Sequence, residues 1–136
     1  MTDVKKYTVY ILEENKDLLK NIKDSLLATN NFTVIGNSDS AVSCLNYLSN
    51  NTCDLLIIDL MLSNIDGIGV LNKLKEINNR AYNKVVCITS FTNPLICETL
   101  EKLNVSYCFK QPFDINYFIS TLNSVMKVSL EDIKMM

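Results

Sequence analysis

Hydrophobic and polar positions follow two alternating periods along the chain. Five short runs are almost wholly apolar or β-branched, and the longer segments between them carry apolar residues at the spacing of an amphipathic helix. The predicted strands are Tyr7–Leu12, Phe32–Gly36, Asp54–Ile58, Lys84–Thr89 and Val105–Phe109. The helical apolar residues lie within 18–26, 41–48, 70–77, 96–103 and 115–125. The pattern therefore predicts a strand followed by a helix, five times over.

Strands that are apolar along their whole length are typical of a parallel sheet covered by helices on both faces. With right-handed connections, five such units predict an α/β fold. We expect the flavodoxin-like (βα)5 doubly wound parallel sheet, with strand order 2-1-3-4-5. Two helix starts are also marked, by Asn93 before Pro94 and by Asp114. We expect one domain over residues 1–127 and a tail or the start of a linker over 128–136.

Composition narrows the class of protein. The 136 residues are 48% hydrophobic and 21% charged, which is typical of a globular domain. A net charge of −2 argues against direct nucleic-acid binding. The five cysteines form no C-x-x-C pair, and no histidine is present, which excludes histidine-based metal sites and catalysis. With no apolar stretch as long as a membrane span and a polar N-terminus, we expect a cytoplasmic protein without membrane contact.

Acidic residues follow two strands that this fold places side by side. Glu13 and Glu14 come after the first strand, and Asp59 comes after the third. Ligands of open α/β sheets bind at the carboxyl ends of the strands, so we expect the three carboxylates to converge there. Crowded carboxylates raise one another's pKa unless they share a cation, and Mg²⁺ is commonly held by one or two carboxylates. The same acids would repel a flavin phosphate.

The motifs at the strand ends resemble one family. From about Tyr7 to Lys127, the chain is similar to response-regulator receiver domains of two-component signalling, through ILEEN, LLIIDLMLSNIDG, CITSF and QPFD. The stretches VIGNSDSAVSCL, IDGIGVLNKLKE and QPFDINYF are most like the receiver of the sporulation transcription-factor family.

The resemblance implies roles for individual residues. Asp59 matches the phosphoacceptor, which takes a phosphoryl group from a histidine kinase or a histidine phosphotransfer protein. Glu14 matches the direct ligand of Mg²⁺, Glu13 the acid that holds it through water, and Met61 the residue whose backbone carbonyl completes the metal shell. Thr89 matches the switch hydroxyl that reaches the phosphoryl group.

The chain departs from the family after the fifth strand. A gapless reading puts Gln111 where the family has a phosphoryl-binding lysine and Cys108 where it has an aromatic switch residue. A register shifted by one residue would instead use Lys110 and Tyr107. We favour the gapless reading because it keeps the family's residue adjacent to the proline. It also places Lys110 on the side away from the site.

Two further departures concern the acids and the loop after Asp59. The family usually has aspartate where this chain has Glu13 or Glu14, and the extra methylene carries a carboxylate about 1.5 Å deeper. Leu62-Ser63 replaces the family's Met-Pro, which we expect only to loosen a rigid turn.

Two functions fit these features. The first is a Mg²⁺-dependent signalling switch, rather than a turnover enzyme, phosphorylated on Asp59. Its surface of helix 4, strand 5 and helix 5 would control a partner, an attached output domain, transcription or homodimer formation. The alternative is a degenerate receiver that acts as a dimerisation or adaptor module without phosphorylation, as the missing lysine suggests.

Overall fold

A computed structural model describes residues 6–63 and 65–126. Its elements are β1 (Tyr7–Leu12), α1 (Lys16–Thr29), β2 (Phe32–Ser38), α2 (Ala41–Asn50), β3 (Cys53–Asp59), α3 (Gly67–Ile77), β4 (Tyr82–Thr89), α4 (Pro94–Lys102), β5 (Tyr107–Lys110) and α5 (Ile115–Val125). The strands are parallel and lie in the order β2-β1-β3-β4-β5, so the predicted fold and strand order are confirmed. The predicted tail, 128–136, lies outside the described residues, and the boundary at residue 127 stays a prediction.

The last strand begins later than its hydrophobic pattern predicted. Val105 belongs to the preceding turn because its backbone N–H donates to Leu100 O at 3.0 Å, at the end of α4. Pairing with β4 begins at Tyr107, which lies beside Val86. The strand prediction starting at Val105 was therefore wrong by two residues, since a backbone hydrogen bond and not side-chain polarity decides the boundary.

The sheet separates two hydrophobic cores. Residues that alternate along each strand point to opposite faces. One face packs against α1 and α5 and the other against α2, α3 and α4. The first core includes Ile11, Ile57, Ile88, Ile22, Leu26, Phe118 and Leu122. The second includes Leu56, Ile58, Cys87, Leu48, Val70, Leu74 and Leu100. Burying each such side chain contributes about 1.5–3 kcal/mol, so the central strands are held rigidly up to their carboxyl ends.

Helix caps fix the loops at those ends. Asn93 caps α4 and Asp114 caps α5, as predicted, and Asp66 caps α3. Gly67, the first residue of α3, lies so close to β3 that a Cβ atom would be 2.8 Å from Asp59 O. Only glycine allows this approach, which sets the path of the loop after Asp59. Within the described ranges, none of the helices combines the length and hydrophobicity that crossing a membrane requires.

Candidate functional site

Asp59 is the last residue of β3 and is only 7% exposed. Its carboxylate Oδ1 accepts a hydrogen bond from the backbone N–H of Met61 at 2.8 Å. The Met61 side chain itself is exposed, so this residue approaches the carboxylate through its backbone alone. The acid that ends the most buried strand is thus inside the fold, with one carboxylate oxygen held by the following turn.

Glu13 lies at the end of the neighbouring strand β1 and is almost fully buried, at 1% exposure. Its Oε2 accepts the backbone N–H of Asn15 at 3.0 Å, whereas its Oε1 has no hydrogen-bond partner among the described residues. Burial, and the contact with the Asp59 carboxyl, raise the pKa of Glu13 to about 8. Burial beside Asp59 therefore favours the neutral, protonated form of Glu13 while no cation is bound.

Glu14 makes a different contact from its neighbour. Its Oε1 accepts the backbone N–H of Ser63 at 2.5 Å, and its Oε2 accepts the Ser63 hydroxyl at 2.7 Å. Both hydrogen bonds stabilise the charged form and lower the pKa of Glu14. The carboxylate lies in a surface cleft lined also by Asp39, Ser40, Ala41, Leu62 and Ile65.

The expected convergence of the three carboxylates in one metal site stays a prediction. Glu13 and Asp59 meet, but Glu14 is held by the loop after β3. No group of three or more Asp, Glu or Cys side chains is arranged to hold a metal in the described part of the chain. Sequence reasoning treated Ser63 only as a loosened turn and missed this contact. The available signal was that serine, unlike proline, offers both an N–H and an O–H donor.

Thr89 ends β4, next to β3, and is 1% exposed. Its hydroxyl donates to Phe91 O at 2.8 Å and accepts the Phe91 N–H at 3.2 Å. The backbone N–H of Gln111 donates to Thr89 O at 2.8 Å, which joins the loop after β5 to the end of β4. The peptide bond between Gln111 and Pro112 is cis. In this conformation the predicted switch hydroxyl is bonded within its own loop.

The two faces of β5 separate the residues of the competing alignments. Cys108 lies beside Cys87 in the register of β5 with β4, and it packs against the core beneath α2, α3 and α4. Tyr107 packs against the opposite core. Lys110 is exposed. Gln111 lies just past the strand and lines a cavity with residues that include Asn15 and Ser90. Cys108 thus lies on the α4 side of the sheet and Tyr107 on the other side, and the choice between the two alignments stays a prediction, as do the roles of Gln111 and Lys110.

The available donors suit a hard divalent cation. Glu13, Asp59 and Glu14 offer carboxylate oxygens from adjacent strand ends, and Mg²⁺ prefers such ligands together with carbonyls and water. The unpartnered Oε1 of buried Glu13 needs a proton or a cation, because a buried charge without a partner is costly. The residues present therefore fit Mg²⁺, with Glu14 available once it is released from Ser63.

Comparisons with known proteins agree with this geometry. The family model of the response regulator receiver domain matches residues 9–123. The fold is similar to the receiver domain of the response regulator NarL from Mycobacterium tuberculosis, with a TM-score of 0.79, 14% identity, and coverage of 90% of this chain and 98% of that one.

Two further structures are similar. The isolated receiver domain of RcsB from Salmonella enterica serovar Typhimurium has a TM-score of 0.79 and 20% identity, and covers 90% of each chain. A DNA-binding response regulator of the LuxR family from Staphylococcus aureus has a TM-score of 0.77 and 18% identity, over 88% of this chain and 98% of that one. At these identities the likeness shows the fold, and the finer resemblance to the sporulation family stays a prediction. Because the family model spans nearly all of the described residues, the chain belongs to the response regulator receiver domain family of two-component signalling.

Proposed function

We propose that the protein is a phosphorylation switch that accepts a phosphoryl group on Asp59 from a histidine kinase or a histidine phosphotransfer protein. A carboxylate oxygen of Asp59 attacks the phosphorus of the donor's phosphohistidine, the phosphorus–nitrogen bond breaks, and an acyl phosphate forms on Asp59. The observation that carries the proposal is the buried Asp59 carboxylate at the end of β3, with its Oδ1 held by the Met61 N–H. Positioning of this kind supplies much of the catalysis in phosphoryl transfer.

Magnesium is the cofactor that the carboxylates suit. Glu13, Glu14 and Asp59 would hold it, with the backbone carbonyl of Met61. When bound, the cation neutralises the charge that develops on the transferred phosphoryl group. Glu13 also affects the charge at the site, since its protonated form adds no negative charge beside Asp59 when no cation is bound.

The surface of α4, β5 and α5 is the proposed readout. Leu95 and Tyr117 are 71% and 52% exposed there, and Phe91 in the loop before α4 is 56% exposed, which gives this region an apolar character suited to a protein partner. The Tyr107 and Tyr117 hydroxyls are hydrogen-bonded to each other across β5 and α5. A change at Thr89 would reach this surface through the loop that begins α4.

The partner of that surface would be a second copy of the chain or an output domain. The similar protein from Staphylococcus aureus is a DNA-binding response regulator. This favours control of transcription through an attached or separate output domain, in the cytoplasm. With a net charge of −2, the receiver itself would not bind nucleic acid directly.

A degenerate receiver is the second candidate. Gln111 brings no positive charge to the phosphoryl group, and Glu14 is occupied by Ser63 in this conformation. In that case the fold would act as a dimerisation or adaptor module, and its partner binding would not depend on Asp59.

The deciding experiment is the intact mass of the protein after incubation with acetyl phosphate and Mg²⁺. We expect one phosphoryl adduct on the wild type and none on Asp59→Asn, because the amide is not a nucleophile but preserves the shape of the side chain. An adduct that persists in Asp59→Asn would overturn the assignment of the phosphoacceptor. If neither protein is labelled by acetyl phosphate or by a phosphorylated histidine phosphotransfer donor, the degenerate module is favoured.

A further inference from the structure

The contact between Glu14 and Ser63 joins two loops that lie 49 residues apart in the chain. Both carboxylate oxygens of Glu14 accept a hydrogen bond, at 2.5 Å from the Ser63 N–H and 2.7 Å from its hydroxyl. Hydrogen bonds to a charged group are roughly twice as strong as neutral ones. Paired donors also fix the orientation of the carboxylate, so Glu14 is held in one position by the loop that follows Asp59.

That position lies outside the contact between the other two acids. Glu13 and Asp59 are buried together, whereas Glu14 lies in the cleft that Asp39 and Leu62 also line. Glu13 Oε1 has no hydrogen-bond partner among the described residues, whereas both carboxylate oxygens of Glu14 are hydrogen-bonded. The acid that the resemblance assigns as the direct Mg²⁺ ligand, Glu14, is thus bonded to Ser63 through both of its carboxylate oxygens.

The contact depends on the identity of residue 63. Proline, which the resemblance places at this position, has neither a backbone N–H nor a hydroxyl and could form neither hydrogen bond. The serine in this chain therefore adds an interaction that competes for Glu14.

We propose that Ser63 is a positioning residue that latches Glu14 away from Asp59, so that a divalent cation binds only by displacing this contact. This inference rests on the proposed function, because it concerns the same metal site. The latch would lower the affinity of the site for the cation, so that half-saturation requires a higher cation concentration than in a receiver without the latch. It gives the loop after β3 two arrangements, one bonded to Glu14 and one released by the cation.

The test is the affinity for Mg²⁺, measured by titration calorimetry on the wild type, Ser63→Ala and Ser63→Pro. Ser63→Ala removes one hydrogen bond and Ser63→Pro removes both. We expect affinity to rise about threefold in Ser63→Ala and tenfold or more in Ser63→Pro, on the scale of net hydrogen-bond contributions. Ser49→Ala is the matched control, because the Ser49 hydroxyl bonds only within α2, to Asn46 O. It should bind Mg²⁺ as the wild type does.

A second measurement follows the latch itself by NMR. In the wild type without Mg²⁺, the short bond to Glu14 should shift the Ser63 amide proton downfield, and Glu14→Gln should weaken this shift. Saturating Mg²⁺ should move the wild-type resonance upfield, as Ser63 is released.

Equal Mg²⁺ affinities in the serine variants, weaker binding in the variants, or no binding in any protein would overturn the latch. So would a Ser63 amide that saturating Mg²⁺ leaves unchanged. If Ser63→Pro does not fold, Ser63→Ala and the amide resonance still decide. Labelling of wild-type Asp59 with equal affinities would leave the proposed function standing without the latch. If the affinity rises from the wild type to Ser63→Ala to Ser63→Pro but Asp59 is not labelled, the latch stands and the proposed phosphorylation does not.

Discussion

The two halves of the sheet's carboxyl edge differ in charge. Where β1 and β3 end, Glu13 and Asp59 are buried against each other. Where β4 and β5 end, the corresponding groups are the neutral Thr89 and Gln111, which are bonded to the backbone around them. One half buries acidic groups, whereas the cation at the end of the other half, Lys110, is exposed to solvent.

The difference teaches that the buried acids are not neutralised by an ion pair among the described residues. The described residues contain two ion pairs, Lys20–Asp24 and Glu98–Lys102, and both lie on exposed helix surfaces. Neither reaches the carboxyl edge of the sheet. Two buried carboxyl groups without a fixed cation favour the binding of a proton or a metal ion. The raised pKa of Glu13 reflects the tendency to bind a proton.

The largest expected effect comes from neutralising the acidic half with Glu13→Gln. The folded state raises the pKa of Glu13 from 4.5 to about 8, so it keeps a proton that the unfolded chain loses. The contribution of Glu13 to the stability of the wild type in EDTA should therefore be fully present below about pH 4.5 and be lost as the pH rises to about 8. Glu13→Gln should remove this fall and be more stable at pH 8.5 by about 2–4 kcal/mol, since one pKa unit is worth about 1.4 kcal/mol.

Urea unfolding between pH 5 and pH 8.5 would measure this difference. Glu14→Gln is the control, because the pKa of Glu14 is lowered rather than raised, by Ser63. The Glu14 contribution is lost as the pH falls, so this variant should keep the wild-type decline above pH 5. If Glu13→Gln showed the same decline as the wild type, Glu13 would not be the group that carries the proton.

The next effect comes from adding charge to the neutral half with Gln111→Lys. A lysine there would bring an ammonium group toward the phosphoryl group. We expect the rate of Asp59 labelling by acetyl phosphate to rise about tenfold, or about 1.4 kcal/mol in the barrier. The rate should be followed by intact mass over time.

Lys110→Ala decides between the two alignments. Because Lys110 is exposed and Cys108 faces the α4 side, the labelling rate of Lys110→Ala should match the wild type. A large loss in Lys110→Ala together with no gain in Gln111→Lys would favour the shifted register, in which Lys110 already serves.

The smallest effect comes from Thr89→Val, which removes the hydroxyl but preserves the shape of the side chain. Two hydrogen bonds to Phe91 are lost, and the stability should fall by about 1 kcal/mol. The exposed loop limits the loss because water replaces part of these bonds. Thr99→Val is a suitable comparison, since its hydroxyl bonds only to Leu95 O within α4. Thermal unfolding of both variants would show whether the Phe91 contact is the stronger one.

The hydrophobic pattern predicted the fold because it follows from local periodicity. Runs such as Leu55–Ile58 indicate a doubly buried strand wherever they occur, and the order of strands and helices then limits the topology to few choices. The limits of β5 were not predictable in this way, because the backbone N–H of Val105 is taken by Leu100. A hydrogen bond across a turn leaves no mark in the pattern of apolar residues.

The amino-acid sequence by itself determined the sheet and the placement of Asp59 and Glu13 at neighbouring strand ends. These properties depend on burial and strand order, which every residue of a run supports. Tertiary structure alone decided which way each acid faces. Glu14 is one residue from Glu13, yet Ser63, 49 residues away, supplies the donors that hold it in another direction. A rotamer choice worth a few kcal/mol is decided by such a distant contact, whereas the fold depends on the summed burial of both cores.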